Sequence, residues 1–154
     1  MAKILSFLAL ACLALTVRAA GPFAVRSTDA AFDDVLSALR LAIENRGMTL
    51  THELHLGEMW ARTGPAVGAA GPLFLKARSV QFCSAPLSRR MIAEDPRRIV
   101  NCPFTLSVYV LPDEPGRTYI VHRRVVADPG ADTPAMRAVE AMLEAVAAEA
   151  AEGF

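Results

Sequence analysis

The sequence predicts an α+β domain in which an antiparallel sheet carries helices on one face and leaves the opposite face partly open. Three observations carry the prediction. Apolar residues recur at helical spacing in two separated blocks, Phe32 to Ile43 and Met136 to Ala150. They alternate at strand spacing through much of the chain between these blocks. A turn rich in proline and glycine, residues 112–116, joins two alternating runs as a hairpin. With 154 residues, 53% hydrophobic and 21% charged side chains, the chain suits one domain with an ordinary core.

Residues 1–19 read as a signal peptide. Lys3 opens a short positive region, Ile4 to Val17 is almost unbroken apolar sequence, and Val17-Arg18-Ala19 suits a signal peptidase. Cleavage is expected after Ala19, leaving residues 20–154 as a single periplasmic or secreted domain. The apolar run is shorter than the roughly 20 residues that cross a bilayer, so no stable membrane span is expected after cleavage. Cys12, in Leu10-Ala11-Cys12, offers the alternative of a lipid anchor, although the apolar run continues past it.

Phe23 to Ser27 reads as a first strand, and Thr28 or Asp29 as the cap of a helix that gathers Phe32, Val35, Leu36, Leu39 and Ile43 on one face. Asn45 and Gly47 suit the left-handed turn that ends it. Met48 to Leu56 alternates Met48, Leu50, His52, Leu54 and Leu56 against polar partners, a half-buried strand. A short helical turn, Glu58 to Arg62, then lays Met59 and Trp60 over the sheet edge, and Thr63 to Pro72 follows as a loop or flap. Leu73 to Cys83 is a strand, and Pro86 to Glu94 a helix with Leu87 and Met91 inward. Asp95-Pro96 ends that helix.

A long strand is expected from Ile99 to Leu111, with Cys102, Phe104, Leu106, Val108 and Val110 on its core side. The hairpin partner runs from Arg117 to Ala127, and Asp128-Pro129-Gly130 breaks it. Thr133-Pro134 starts a final helix to about residue 152, with Met136, Val139, Leu143, Val146 and Ala150 as its stripe. The element order is β-α-β-β-α-β-β-α with one extra helical turn.

Composition excludes some partners. Basic and acidic side chains both number 16, and the segment 1–19 holds Lys3 and Arg18 but no acid, so residues 20–154 carry 14 bases against 16 acids. Nucleic acid is not expected, because its binding depends on clustered cations. No Gly-x-Ser-x-Gly elbow, phosphate loop or His-Glu-x-x-His is present, and no catalytic residue is nominated. The acidic pairs Asp33-Asp34 and Glu94-Asp95 sit at a helix start and end, where carboxylates serve capping and solvation.

Export gives Cys83 and Cys102 a meaning as a disulfide or redox pair, since an oxidising compartment lets such bridges persist. A bridge of that span would stabilise the fold by about 3 kcal/mol. The alternative is a soft-metal site in which Cys83 and Cys102 act with His122 or Met91 on copper or zinc. Beyond copper or zinc no cofactor is predicted. His52-x-x-His55 followed by Glu58 invites a metal reading, but strand alternation sends the two imidazoles to opposite sides. Trp60, His122 and Arg124 are the side chains nominated for an unknown small ligand. Arg89, Arg90, Arg97, Arg98, Arg123 and Arg124 would collect an anion if several converged; they read instead as solvated surface, with Arg123 and Arg124 alternating between faces.

The central residues resemble a known family. Phe82-Cys83-Ser84-Ala85, Ser88-Arg89, Asp95-Pro96, Cys102-Pro103, Val108-Tyr109, Glu114-Pro115-Gly116 and His122-Arg123-Arg124 are similar to the bacterial domain-of-unknown-function family numbered three hundred and two, here as an exported member. The resemblance spans about residues 22–127. It implies a curved antiparallel sheet with helices on one face, similar to a TATA-binding-protein half domain, and association as a homodimer. It implies no activity. The best functional expectation is an exported domain that binds a small ligand or a partner through its open sheet face.

Overall fold

The structure, a computed structural model, describes residues 21–127 and 129–153. The expected signal peptide and Cys12 lie outside the described residues. Five strands, β1 (Phe23–Thr28), β2 (Thr49–Leu54), β3 (Lys76–Cys83), β4 (Phe104–Val110) and β5 (Thr118–Arg123), form one sheet in the order β1-β5-β4-β3-β2. Every neighbouring pair is antiparallel. Among the described residues four α-helices accompany them: α1 (Phe32–Glu44), α2 (Leu56–Thr63), α3 (Ala85–Glu94) and α4 (Pro134–Glu152). Among the described residues no helix is long and apolar enough to cross a membrane.

The sheet must cover its apolar face, and the helical stripes do so. Val35, Leu39 and Ile43 of α1 and Val139, Leu143 and Val146 of α4, all 2% exposed or less, join the inward side chains of β3 and β4 in one core. Each such side chain stabilises the fold by about 1.5–3 kcal/mol through water removal. Met91 of α3 is fully buried in the same core. The chain leaves α1 through Gly47, whose φ of +66° an L side chain adopts only with strain. Thr133 caps α4, its hydroxyl accepting from the Met136 amide.

Several details differ from expectation, among them the end of β5 at Arg123 rather than Ala127. Strand β1 continues to Thr28, held opposite Thr118, so Ala31 takes the cap position of α1 and Thr28 instead accepts from the Ala30 amide at 3.3 Å. Strand β2 bulges: Leu50 faces Phe82 and His52 faces Gln81, so one extra residue turns His52 away from the face that Leu50 shares. The loop 63–72 contains a short 3-10 helix, Gly64–Val67, and β3 begins at Lys76 rather than Leu73.

The expected start of β4 is likewise a 3-10 helix, Pro96–Asn101, leaving Ile99 and Val100 60% and 83% exposed. The Asp95 carboxylate initiates it by accepting from the Arg97 amide at 3.0 Å. Pro103 follows with no N–H to give a ladder, and the Cys102–Pro103 peptide is cis.

Candidate functional site

Strands β4 and β5 present different chemistry to the two sides of the sheet. On the side away from α1 and α4, cross-strand pairing aligns Val25, Val121, Ser107 and Ser79 in one row. Ser27, Tyr119, Tyr109 and Ala77 form the next row. Ser79 and Ser107 join hydroxyls at 2.9 Å, which satisfies two polar groups in the middle of the face. Tyr109 and Tyr119 stack with centroids 5.1 Å apart and planes 11° apart. Phe74 meets the Tyr109 ring edge-on at 5.2 Å, and Trp60 of α2 lies 5.6 Å from Phe74.

This aromatic run roofs one end of the outer face. Helix α2 approaches closely because Gly57 lies against the backbone of β3, where a Cβ would come within 2.9 Å of the Ala77 nitrogen. Burial and the nearby Glu114 charge hold the Tyr109 phenol above its ordinary pKa. Tyr119 is raised because it donates a hydrogen bond to Glu114. Both therefore remain neutral at physiological pH. The other end is bare: Phe23 and Val25 are 61% and 53% exposed.

On the helix side, β5 buries a polar residue. The His122 side chain is 1% exposed and sits under α4 beside Glu140 and Glu144, which one helical turn places on the same face. His122 Nδ1 lies 3.0 Å from the Arg123 carbonyl, which can only accept, so Nδ1 carries the proton. Nε2 has no hydrogen-bond partner and lies 3.8 Å from Glu144 Oε1. Glu140 accepts from the Val125 amide through Oε2 at 2.7 Å, while its Oε1 is buried without a hydrogen bond. Arg124 Nη1 flanks both acids, 3.6 Å from Glu140 Oε1 and 3.3 Å from Glu144 Oε1, and its Nε has no partner. Arg26 donates to Glu144 Oε2 at 3.2 Å.

Cys83 and Cys102 are both free, not joined as the expected disulfide. Cys102 packs against the core on the helix side, its thiol donating to Ser88 of α3 at 3.2 Å. Cys83 follows Phe82, whose ring is fully buried in that core, so alternation turns the Cys83 side chain to the other face of the sheet. A short separation along the chain therefore does not become a bridge. Met91 is a core side chain, and the metal-capable group that contains His122 takes its other members from α4 rather than from cysteine.

The remaining nominated residues disperse. His52 is exposed on the bulged edge strand, whereas His55 pairs with Glu58 at 3.2 Å on the surface. Trp60 is engaged in the aromatic run, and Arg124 in the α4 cluster. Three of the arginines, Arg97, Arg98 and Arg123, do converge on an open cleft of about 550 Å³ at the end of the sheet. Arg97 and Arg98 there are already paired with Asp95 and Glu94. Glu140 and Glu144 were not nominated by sequence; their one signal is an i, i+4 acidic pair adjoining the apolar stripe at Val139 and Leu143.

A family model described as "Domain of unknown function DUF302" matches residues 23–151. The match extends past the hairpin and takes in α4, beyond the span of about 22–127 suggested by motifs. The structure titled "Crystal structure of uncharacterized conserved protein DUF302 from Bacillus stearothermophilus" is similar with a TM-score of 0.68 and 17% identity, covering 84% of this chain and 98% of that one. At that identity the likeness concerns the fold: an open five-stranded antiparallel sheet with helices. No curated protein matches the chain.

Proposed function

Since the chain belongs to the DUF302 family of domains of unknown function, we propose that it is an interaction domain of the cell envelope. It binds through the open face of its sheet, and its partner is a second copy of the chain. Placement in the envelope rests on the signal-like segment of residues 1–19.

One observation supports the choice of face. Phe23 and Val25 are large apolar side chains, 61% and 53% exposed, on the edge strand where the aromatic roof stops. Val121 and Leu54 extend the apolar character across the sheet, and polar Ser79, Ser107, Gln81 and Thr105 lie between them. Exposed apolar side chains with hydrogen-bonding groups between them suit a specific interface, which combines apolar contact with polar pairing. A two-fold axis lets the same patch serve both partners.

Sedimentation analysis of the mature chain tests the reading. The expected result is a dimer that Val25→Asp converts to monomer, with the thermal midpoint of the monomer preserved because Val25 points to solvent. A wild-type chain that stays monomeric at all accessible concentrations overturns it, as does a dimer insensitive to Val25→Asp.

A further inference from the structure

We propose that His122, Glu140 and Glu144 form a binding site for a divalent transition-metal ion, with zinc as the fitting ion. The site is independent of the open sheet face, because these side chains lie on the opposite side of β5. One ligand atom from each residue falls within 4.8 Å of the other two. A zinc ion with ligands at about 2.0–2.2 Å holds tetrahedral neighbours about 3.4 Å apart. The His122 Nε2 to Glu144 Oε1 distance of 3.8 Å is already near that value.

The case rests on which atoms are satisfied. In each residue one polar atom is engaged from outside the cluster and another faces its centre. His122 Nδ1–H is given to the Arg123 carbonyl, Glu140 Oε2 receives the Val125 amide, and Glu144 Oε2 receives Arg26. Outer-shell bonds of this kind orient metal ligands and select the tautomer that bares Nε2. Facing inward are the lone pair of His122 Nε2 and the Oε1 atoms of the two acids. Two of these three atoms, His122 Nε2 and Glu140 Oε1, are buried with no hydrogen bond. A buried imidazole nitrogen without a partner is uncommon in a folded protein, and a bound ion satisfies it.

The donor set also selects the ion. One imidazole and two carboxylates suit zinc, whereas cuprous copper prefers the thiolate and thioether ligands that this cluster lacks. Three protein ligands leave a fourth position for water or a ligand, reached from the Glu144 side, where the side chain is 29% exposed. Arg124 occupies the flank in the metal-free arrangement. Its Nη1 donates a hydrogen bond to Glu144 Oε1 at 3.3 Å and lies 3.6 Å from Glu140 Oε1, while its Nε is unpartnered. The guanidinium is thus a competitor for the same oxygens.

Zinc titration by calorimetry into chelator-treated mature protein, with cobalt absorption spectra as a second readout, tests the site. The expected result is one equivalent of zinc bound, a raised thermal midpoint, and a cobalt spectrum of nitrogen and oxygen ligation without a thiolate band. Glu140→Gln preserves shape and the acceptor for the Val125 amide, yet weakens binding by at least about tenfold. Arg124→Gln tightens it by removing the competing cation. The double substitution Cys83→Ser and Cys102→Ser, and His55→Ala, leave it unchanged. Absence of binding, binding that survives Glu140→Gln, or binding lost with the thiols or with His55 overturns the proposal.

Discussion

On the helix side of β4, Phe104, Leu106, Val108 and Val110 are each 5% exposed or less. Between them, Thr105, Ser107 and Tyr109 stay only partly buried on the other side. The same strand thus serves two regimes. Inward positions are held by exclusion of water and close packing, where the shape of the side chain matters and its chemistry hardly does. Outward positions carry hydroxyls and phenols whose value lies in specific partners, Ser79 for Ser107 and the Tyr119 ring for Tyr109. Strand β5 combines the regimes, because Thr118 and His122 place polar groups on the side otherwise reserved for packing.

Adjacent residues give the largest test of that contrast. Leu106→Ala removes a fully buried side chain and leaves a cavity, an expected loss of about 3 kcal/mol. Ser107→Ala, one position along, leaves the Ser79 hydroxyl without its partner and is expected to cost about 1 kcal/mol. Urea denaturation of both variants at one fixed protein concentration measures the difference, the concentration mattering because a dimer shifts apparent stability. Equal losses would mean that the outer face is a second packed layer.

A smaller effect is expected from the roof of the outer face. Gly57→Ala puts a methyl group 2.9 Å from the Ala77 backbone nitrogen, so α2 must move off β3. The expected cost is about 2 kcal/mol, below that of Leu106→Ala. The accompanying signature is a change in tryptophan fluorescence, because Trp60 rides on α2 against Phe74. A stable variant with unaltered emission would show that α2 does not depend on that close approach.

Much of the inner face was readable from spacing alone. Val35, Leu39 and Ile43, and likewise Val139, Leu143 and Val146, occupy the buried positions that a 3.6-residue period assigns them. The bulge in β2 was not readable, because inserting one residue changes which face His52 takes without disturbing the local alternation of residue types. Ile99 and Val100 imitate a strand by being β-branched and apolar, whereas the carboxylate of Asp95 winds them into a 3-10 helix. The polar cluster was half visible. His122 stood out, but Glu140 and Glu144 look like any exposed i, i+4 pair until the sheet order sets β5 beneath α4.

The smallest effect belongs to the rim, which neither face controls. Arg97 donates to the Asp95 carboxylate through its side chain and its backbone amide, and these bonds hold the Asp95 pKa at about 2, against an ordinary 3.8. A depressed carboxyl pKa stabilises the folded state while the group is ionised in both folded and unfolded chains. The contribution is therefore complete above about pH 4 and disappears as pH falls through about 2. Asp95→Asn keeps an oxygen to accept from the Arg97 amide and removes the charge. Thermal midpoints of the two proteins should differ by a small constant amount from pH 7 down to about 4 and converge by about pH 2. Because the pair is open to solvent, salt should shrink the gap as well. A gap that persists undiminished at pH 2 would mean that Asp95 acts through its shape in the turn rather than through its charge, bringing the rim under the same packing rule as the inner face.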